Sequence, residues 1–250
     1  MRNNLLEIKN LKKIYHTKNK ETLAIKDISF SVNDQEFISL VGPSGCGKST
    51  ILTILAGIIK DYDGEIKYNK EKPKIGYMLQ EDSLFPWRTV LENACLGLEI
   101  KKELNHEAKQ RVINLLNKYG LEEFINSYPD TLSGGLKQRV ALIRTLAMNP
   151  DILLLDEPFS ALDYQTRLSL SDDLKSIIKQ EEKTAIMVTH DITEAISMSD
   201  RIIIISERPG TIKEIVDIKL ENPSTPTENR KDKNFAVYYD KIWKELDHHV

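Results

Sequence analysis

The sequence predicts an α/β protein with a mostly parallel sheet core, an antiparallel β layer at its N-terminus and an inserted helical segment. Three observations carry this reading. Four short apolar runs, IGYM from Ile75, ILLL from Ile152, AIMV from Ala185 and IIII from Ile202, have the unbroken apolarity that strands covered on both faces require. Between such runs lie helical patterns: Leu170, Leu174, Ile177 and Ile178 follow an i, i+4, i+7, i+8 spacing that makes one apolar face. A fifth run, Phe37 to Val41, meets Gly42 and is followed by the helix-compatible Ile51, Leu52, Leu55 and Ile58, giving strand, loop and helix. Alternation of strands with helices is the pattern of α/β folds.

In chain order, Leu5 to Tyr15 and Ile25 to Val32 partly alternate and flank the polar turn HTKNKET, as an antiparallel pair would. Lys67 to Lys74 is expected as a trimmed β connection. From about Pro86 to Pro150 the strand signal gives way to helical stripes, Ala108, Val112, Leu115, Leu116 and Tyr119 forming one and Val140, Ile143 and Ala147 another. Beyond Glu207 the sequence turns mixed and polar, with Pro209, Gly210, Pro223 and Pro226, then ends in the aromatic residues Phe235, Tyr238, Tyr239 and Trp243. The organisation expected is a single domain over 1–250, with 1–85 and 150–206 as sheet core and β layer, 86–149 as helical subdomain and 207–250 as a terminal tail.

Composition narrows the function class. Apolar residues make up 40% and charged residues 29%, with 35 Lys+Arg against 38 Asp+Glu, which excludes disorder throughout and argues against a nucleic-acid partner, which favours a basic stripe. No apolar run approaches the roughly 20 residues that span a bilayer. The start, MRNNLLEIKNLKK, has neither a secretory nor a transit character, so a cytosolic chain is expected whose membrane role comes through a partner. Cys46 and Cys95 make no disulfide or metal framework.

Residues 42 to 50, GPSGCGKST, fit G-x-x-x-x-G-K-[ST] between a predicted strand and a predicted helix, the setting this phosphate-binding loop needs. Gly42, Gly45 and Gly47 let the backbone of the loop, which also holds Pro43, Ser44 and Cys46, curl so that successive N–H groups face an anion at the positive end of the next helix. Lys48 is placed for the β and γ phosphates, and the Ser49 hydroxyl, next to Thr50, for Mg²⁺. ILLLDEP, residues 152 to 158, sets two carboxylates at the carboxyl edge of the sheet, where ligands bind. There Asp156 would hold Mg²⁺ and Glu157 would polarise a water for attack on the γ phosphate. In LSGGLKQR, residues 132 to 139, Ser133, Gly134 and Gly135 open a second anion-accepting helix.

These motifs, in this order, resemble those of ABC ATPases, the nucleotide-binding subunits of ATP-driven transporters, over residues 1 to about 205. The resemblance extends to Tyr15 as an adenine-stacking aromatic, Gln80 at the lobe boundary, the SALD segment from Ser160 to Asp163 and His190 in VTHD. It implies a RecA-like P-loop NTPase core, with ATP and Mg²⁺ as cofactors. It implies too a head-to-tail pair of copies, in which Ser133, Gly134, Gly135 and Asp163 of one meet the ATP held by Lys48 of the other. Gln80 is then a sensor of Mg²⁺ and water, and His190 contacts the γ phosphate. One departure stands out: the signature's fifth residue, usually Gln, is Leu136, which removes an amide but leaves the backbone nest.

QEDSLFPWRTVLEN, from Gln80 to Asn93, is similar to the nitrate, sulfonate and taurine branch of importer ATPases, and so is the aromatic tail. That implies Phe85, Pro86 and Trp87 as the contact for a separate membrane permease, an extracytoplasmic solute-binding protein acting through it, and a place on the cytoplasmic face of the membrane. The solute would be nitrate, a sulfonate, taurine or a vitamin precursor. An exporter ATPase and a non-transport ABC ATPase are the alternatives. The latter is disfavoured because neither a second cassette nor a coiled-coil insertion is present.

Overall fold

The computed structural model describes residues 3–17, 20–71, 73–160 and 162–246. Among them, the strands are β1 (Asn4–Thr17), β2 (Lys20–Asn33), β3 (Phe37–Val41), β4 (Asp63–Tyr68), β5 (Ile75–Met78), β6 (Ile152–Asp156), β7 (Thr184–Val188), β8 (Arg201–Ile205) and β9 (Gly210–Asp217). The helices are α1 (Lys48–Leu55), α2 (Val90–Ile100), α3 (His106–Lys118), α4 (Gly134–Leu146), α5 (Tyr164–Gln180), α6 (Ile192–Met198), α7 (Pro226–Asn229) and α8 (Phe235–Leu246). The strands run in the order β4-β1-β2-β9-β8-β3-β7-β6-β5, a mixed sheet that is α/β in class.

Its centre is parallel: β8, β3, β7, β6 and β5 pair in one direction. Every residue of β3, β6 and β7 is buried, which is why these segments read as continuous apolar runs. Their two faces enter different clusters. Ile38, Leu40, Leu154, Ile186 and Val188 pack with Ile51, Leu52 and Leu55 of α1, whereas Leu153, Leu155, Ala185 and Met187 pack with Leu170, Leu174, Ile177 and Ile178 of α5. Each of these side chains larger than alanine stabilises the fold by about 1.5–3 kcal/mol on leaving water. The predicted antiparallel layer is present as β1 and β2.

The helices α2, α3 and α4 form a cluster of their own around Val90, Leu98, Val112, Leu116, Val140 and Ile143. Thr89 starts α2 with a capping box, its side chain accepting from the Glu92 N–H while Glu92 accepts from the Thr89 N–H, and so satisfies two end donors.

Three features differ from the pattern reading. The helix after the phosphate loop ends at Leu55, because Gly57 takes a left-handed φ of 72°, and Ile58 lies outside it and is 64% exposed. β4, an edge strand paired with β1, carries exposed polar residues and so has no apolar signature; Lys67 and Tyr68 of the expected connection are its last residues. The third is β9, within the polar stretch after Glu207. It pairs antiparallel with β8 and parallel with β2 at Ile25 and Asp27, joining the β layer to the parallel centre. Further on, α8 packs Ile242, with Phe235, Tyr238 and Tyr239, against Ile196 of α6 and Val216 of β9.

Candidate nucleotide-binding site

In a parallel sheet all strands deliver their carboxyl ends to one edge, where ligands bind. Here that edge receives the phosphate loop from β3, Gln80 from β5, Asp156 and Glu157 from β6, and His190 from β7. Pairing of Leu40 with Val188 and of Asp156 with Val188 sets these ends side by side.

The loop from Gly42 to Gly47 turns through left-handed glycines, Gly45 at φ 75° and Gly47 at φ 107°, and α1 begins at Lys48. The Lys48 side chain is buried, its ammonium donating to the carbonyls of Gly42 at 2.7 Å and Pro43 at 2.9 Å. The cation therefore sits inside the curl rather than in solvent. Ser49 Oγ donates to Asp156 Oδ1 at 2.9 Å, and Tyr77 OH donates to Asp156 Oδ2 at 3.0 Å. Burial, together with the Asp156 charge it faces, pushes the Tyr77 phenol well above its ordinary value, so it remains a donor. Tyr77 gives no signal of its own in the sequence beyond standing in a strand two pairings from Asp156; its register opposite Leu154 brings it there.

Glu157 follows the last residue of β6 with a positive φ of 45°, a conformation that costs a non-glycine residue free energy and gathers at functional sites. Its N–H donates to the Val188 carbonyl at 2.9 Å. This turn aims the carboxylate at His190, with Oε2 3.1 Å from Nδ1. Behind His190, Thr189 Oγ1 donates to buried Glu194 at 2.7 Å and accepts from the Asp191 N–H at 3.0 Å, while Asp191 caps α6. Burial pushes the Glu194 carboxyl up. Gln80 Nε2 donates to Ser160 Oγ at 3.2 Å, and Ser160 Oγ to the Glu157 carbonyl at 3.1 Å. A further link is absent from the sequence reading: the buried Gln138 of α4 donates from Nε2 to the Gln80 carbonyl at 3.3 Å. Helix α4 is thereby connected to the residue bearing the carboxylate.

Tyr15 is partly exposed, its OH 3.2 Å from Thr50 Oγ1, so one aromatic edge borders the start of α1. Lys13 lies over its ring, 5.1 Å from the centroid.

Ser133, Gly134, Gly135 and Asp163 form a second group. Ser133 caps α4, its Oγ accepting from the Leu136 N–H at 3.4 Å. A Cβ on Gly135 would lie 2.7 Å from Thr166 Cγ2, and one on Gly134 3.1 Å from Leu162 Cδ2, so the start of α4 seats against the start of α5. Asp163 caps α5, accepting from the N–H groups of Gln165 and Thr166. Ser133, Gly134 and Asp163 all face solvent, and Ala161 of the SALD segment lies outside the described residues. Phe85 and Trp87 stack with centroids 5.0 Å apart. Trp87 is 70% exposed, Pro86 is exposed beside it, and the Phe85 N–H is held by Asn93 Oδ1 at 2.8 Å.

Comparison with known proteins agrees with this geometry. The family model for ABC transporters matches residues 25–160. An uncharacterized ABC transporter ATP-binding protein of Bacillus subtilis (strain 168), YtlC, is 46% identical over 248 residues, covering 97% of this chain and 95% of its own. The aliphatic sulfonates import ATP-binding protein SsuB of Bacillus thuringiensis subsp. konkukian is 40% identical over 240 residues, covering 94% and 93%. Among solved structures, a dimeric post-hydrolysis state of the ATP-binding cassette MJ0796, bound to ADP and Pi, superposes with a TM-score of 0.73 at 33% identity, covering 86% of this chain and 99% of that one. The chain belongs to the ABC transporter family, as an ATP-binding subunit with ATPase activity. No helix among the described residues is long and apolar enough to cross a membrane.

Proposed function

We propose that this chain is the ATPase of an importer for a small solute of the sulfonate, taurine or nitrate type, working as a head-to-tail pair beneath a separate permease served by a solute-binding protein. The observation that carries the import reading is the 40% identity to the sulfonate importer's ATP-binding protein over 94% of the chain, joined to the exposed Phe85–Trp87 stack. A stack of one half-buried and one exposed aromatic ring suits the core of a protein interface, here with the permease. The chain would lie at the cytoplasmic face of the membrane through that contact.

Within the site, Gly42, Pro43, Ser44, Gly45, Cys46, Gly47, Lys48, Ser49 and Thr50 receive the phosphates, and Tyr15 receives the base. The donor set fits Mg²⁺: the Ser49 hydroxyl and Asp156 carboxylate converge at 2.9 Å, hard oxygen donors of the kind that ion takes in twos, with phosphates and water completing its shell. Bound there with Gln80 nearby, Mg²⁺ would neutralise charge developing on the phosphates. Glu157 is the general base that orients and deprotonates the attacking water. His190, within hydrogen-bond reach of it, holds that carboxylate in place and meets the γ phosphate. Lys48 offsets the γ-phosphate charge. The exposed start of α4, with Ser133, Gly134, Gly135 and the nearby Asp163, completes the site of a second copy, as the dimeric state of the cassette MJ0796 suggests.

Uptake measured in cells lacking this gene tests the import reading. Accumulation of labelled alkanesulfonate, taurine or nitrate should fall, and return with the parent gene but not with Lys48→Ala. Unchanged uptake of all three would overturn the solute class.

A further inference from the structure

The turn between β8 and β9 seats against the phosphate loop. The Arg208 Nε donates to the Gly45 carbonyl at 3.0 Å, and Arg208 Nη2 would be 3.5 Å from a Cβ built on Gly45. The contact has a second, independent sign: a Cβ on Gly210 would fall 2.4 Å from the Cys46 carbonyl oxygen, so only glycine lets the turn approach this closely. The turn is itself braced. Ser206 donates its N–H to the Thr211 carbonyl at 2.8 Å, and Ser206 Oγ accepts from the Thr211 N–H at 2.9 Å. Arg208 therefore reaches the loop from a fixed base, while its side chain stays at the surface.

We propose that Arg208 is a positioning residue for ATP binding: from outside, it fixes the Gly45–Cys46 peptide so that its N–H faces the interior of the phosphate loop. The carbonyl and N–H of a trans peptide point in opposite directions. With the Gly45 oxygen drawn outward to Arg208, the Cys46 N–H is turned inward, where it now donates to the Pro43 carbonyl at 3.3 Å. An anion entering the loop takes over that donor. Gly45 needs such a restraint, since at φ 75° it occupies one of several conformations equally open to glycine. The guanidinium also adds positive field beside the triphosphate. Lys48 acts differently, from within the curl.

The proposal rests on the reading that Gly42–Thr50 binds ATP, and one titration series separates the two. Calorimetry with ATP would compare the parent chain, Lys48→Ala and Arg208→Met, which keeps the stem but removes charge and donors. We expect the Kd of Arg208→Met to rise about three- to tenfold, the effect of one exposed charged hydrogen bond. Turnover at saturating ATP should stay within about twofold, and melting of the nucleotide-free protein should be unchanged. An unchanged Kd for Arg208→Met, with binding lost in Lys48→Ala, overturns the role of Arg208 alone. A rise in Kd accompanied by an equal loss in nucleotide-free stability also overturns it, because the residue would then merely hold the hairpin. Full binding by Lys48→Ala would instead overturn the loop reading beneath both.

Discussion

Two carboxylates one residue apart have different neighbours and therefore different work. Asp156 accepts from Ser49 and Tyr77, which fixes its orientation for the proposed metal-side role, while Glu157 is turned by its positive φ toward His190. Substitutions should separate binding from chemistry. Lys48→Ala removes the buried cation of the loop and should weaken ATP binding by about 3 kcal/mol, roughly 100-fold, measured by calorimetry. Glu157→Gln keeps shape and polarity but not the proton acceptor. It should bind ATP within a few-fold of the parent and lose about 10²–10⁴ in turnover, the usual worth of a general base; equal losses of binding in the two variants would contradict these roles. Lys48, Ser49, Asp156 and Glu157 are legible because each belongs to a short motif at a strand end, whereas His190 is legible only through the family resemblance. Tyr77, Gln138 and Arg208 are not legible, since they reach the site only through strand register, a helix crossing and a hairpin, which bring together residues far apart in the chain.

At the scale of elements, helix starts do much of the positioning. Asp163 opens α5, its carboxylate accepting from the Thr166 hydroxyl and from two N–H groups, and the Thr166 hydrogen bonds hold it below its ordinary value of 3.8. The sign follows from linkage. A depressed folded value means that the stabilisation is fully present above 3.8 and fades as pH falls through the lower folded value. Carboxyl chemical shifts followed against pH should place the Asp163 midpoint below 3.8, and Asp163→Asn, which caps without titrating, should lose that part of the acid sensitivity. The capping box of α2 gives a second prediction. Thr89→Ala should cost about 1 kcal/mol in chemical denaturation, with turnover per folded molecule preserved. Elements built on apolar periodicity, such as α5 and the parallel strands, were readable in advance. β4 and β9 were not, because edge or half-covered strands carry polar residues and owe their place to pairing with β1, β2 and β8.

Across the whole molecule, the parallel centre holds the chemical edge and the helical cluster holds the signature turn. The two meet through Gln138 and Gln80, and through an ion pair of Arg139 with Asp173. Leu154 shows how much rests on the shared core. It is fully buried between strands and α1, so Leu154→Ala should destabilise the fold by about 2–5 kcal/mol, read from urea denaturation. Ser133, Gly134 and Asp163 are exposed and have no such core role; in the proposed head-to-tail pair they would face a second copy. Two positive helix starts meeting across an interface repel unless an anion lies between them; in the proposed pair ATP would supply that anion, and release of the cleaved phosphate after hydrolysis would weaken the bridge. Sedimentation velocity of Glu157→Gln with and without ATP, Mg²⁺ being withheld, tests this most directly. A pair bridged by ATP shifts from monomer to dimer on adding ATP, and Ser133→Trp abolishes the shift. A variant that binds ATP yet stays monomeric, or a dimer indifferent to Ser133→Trp, would contradict it.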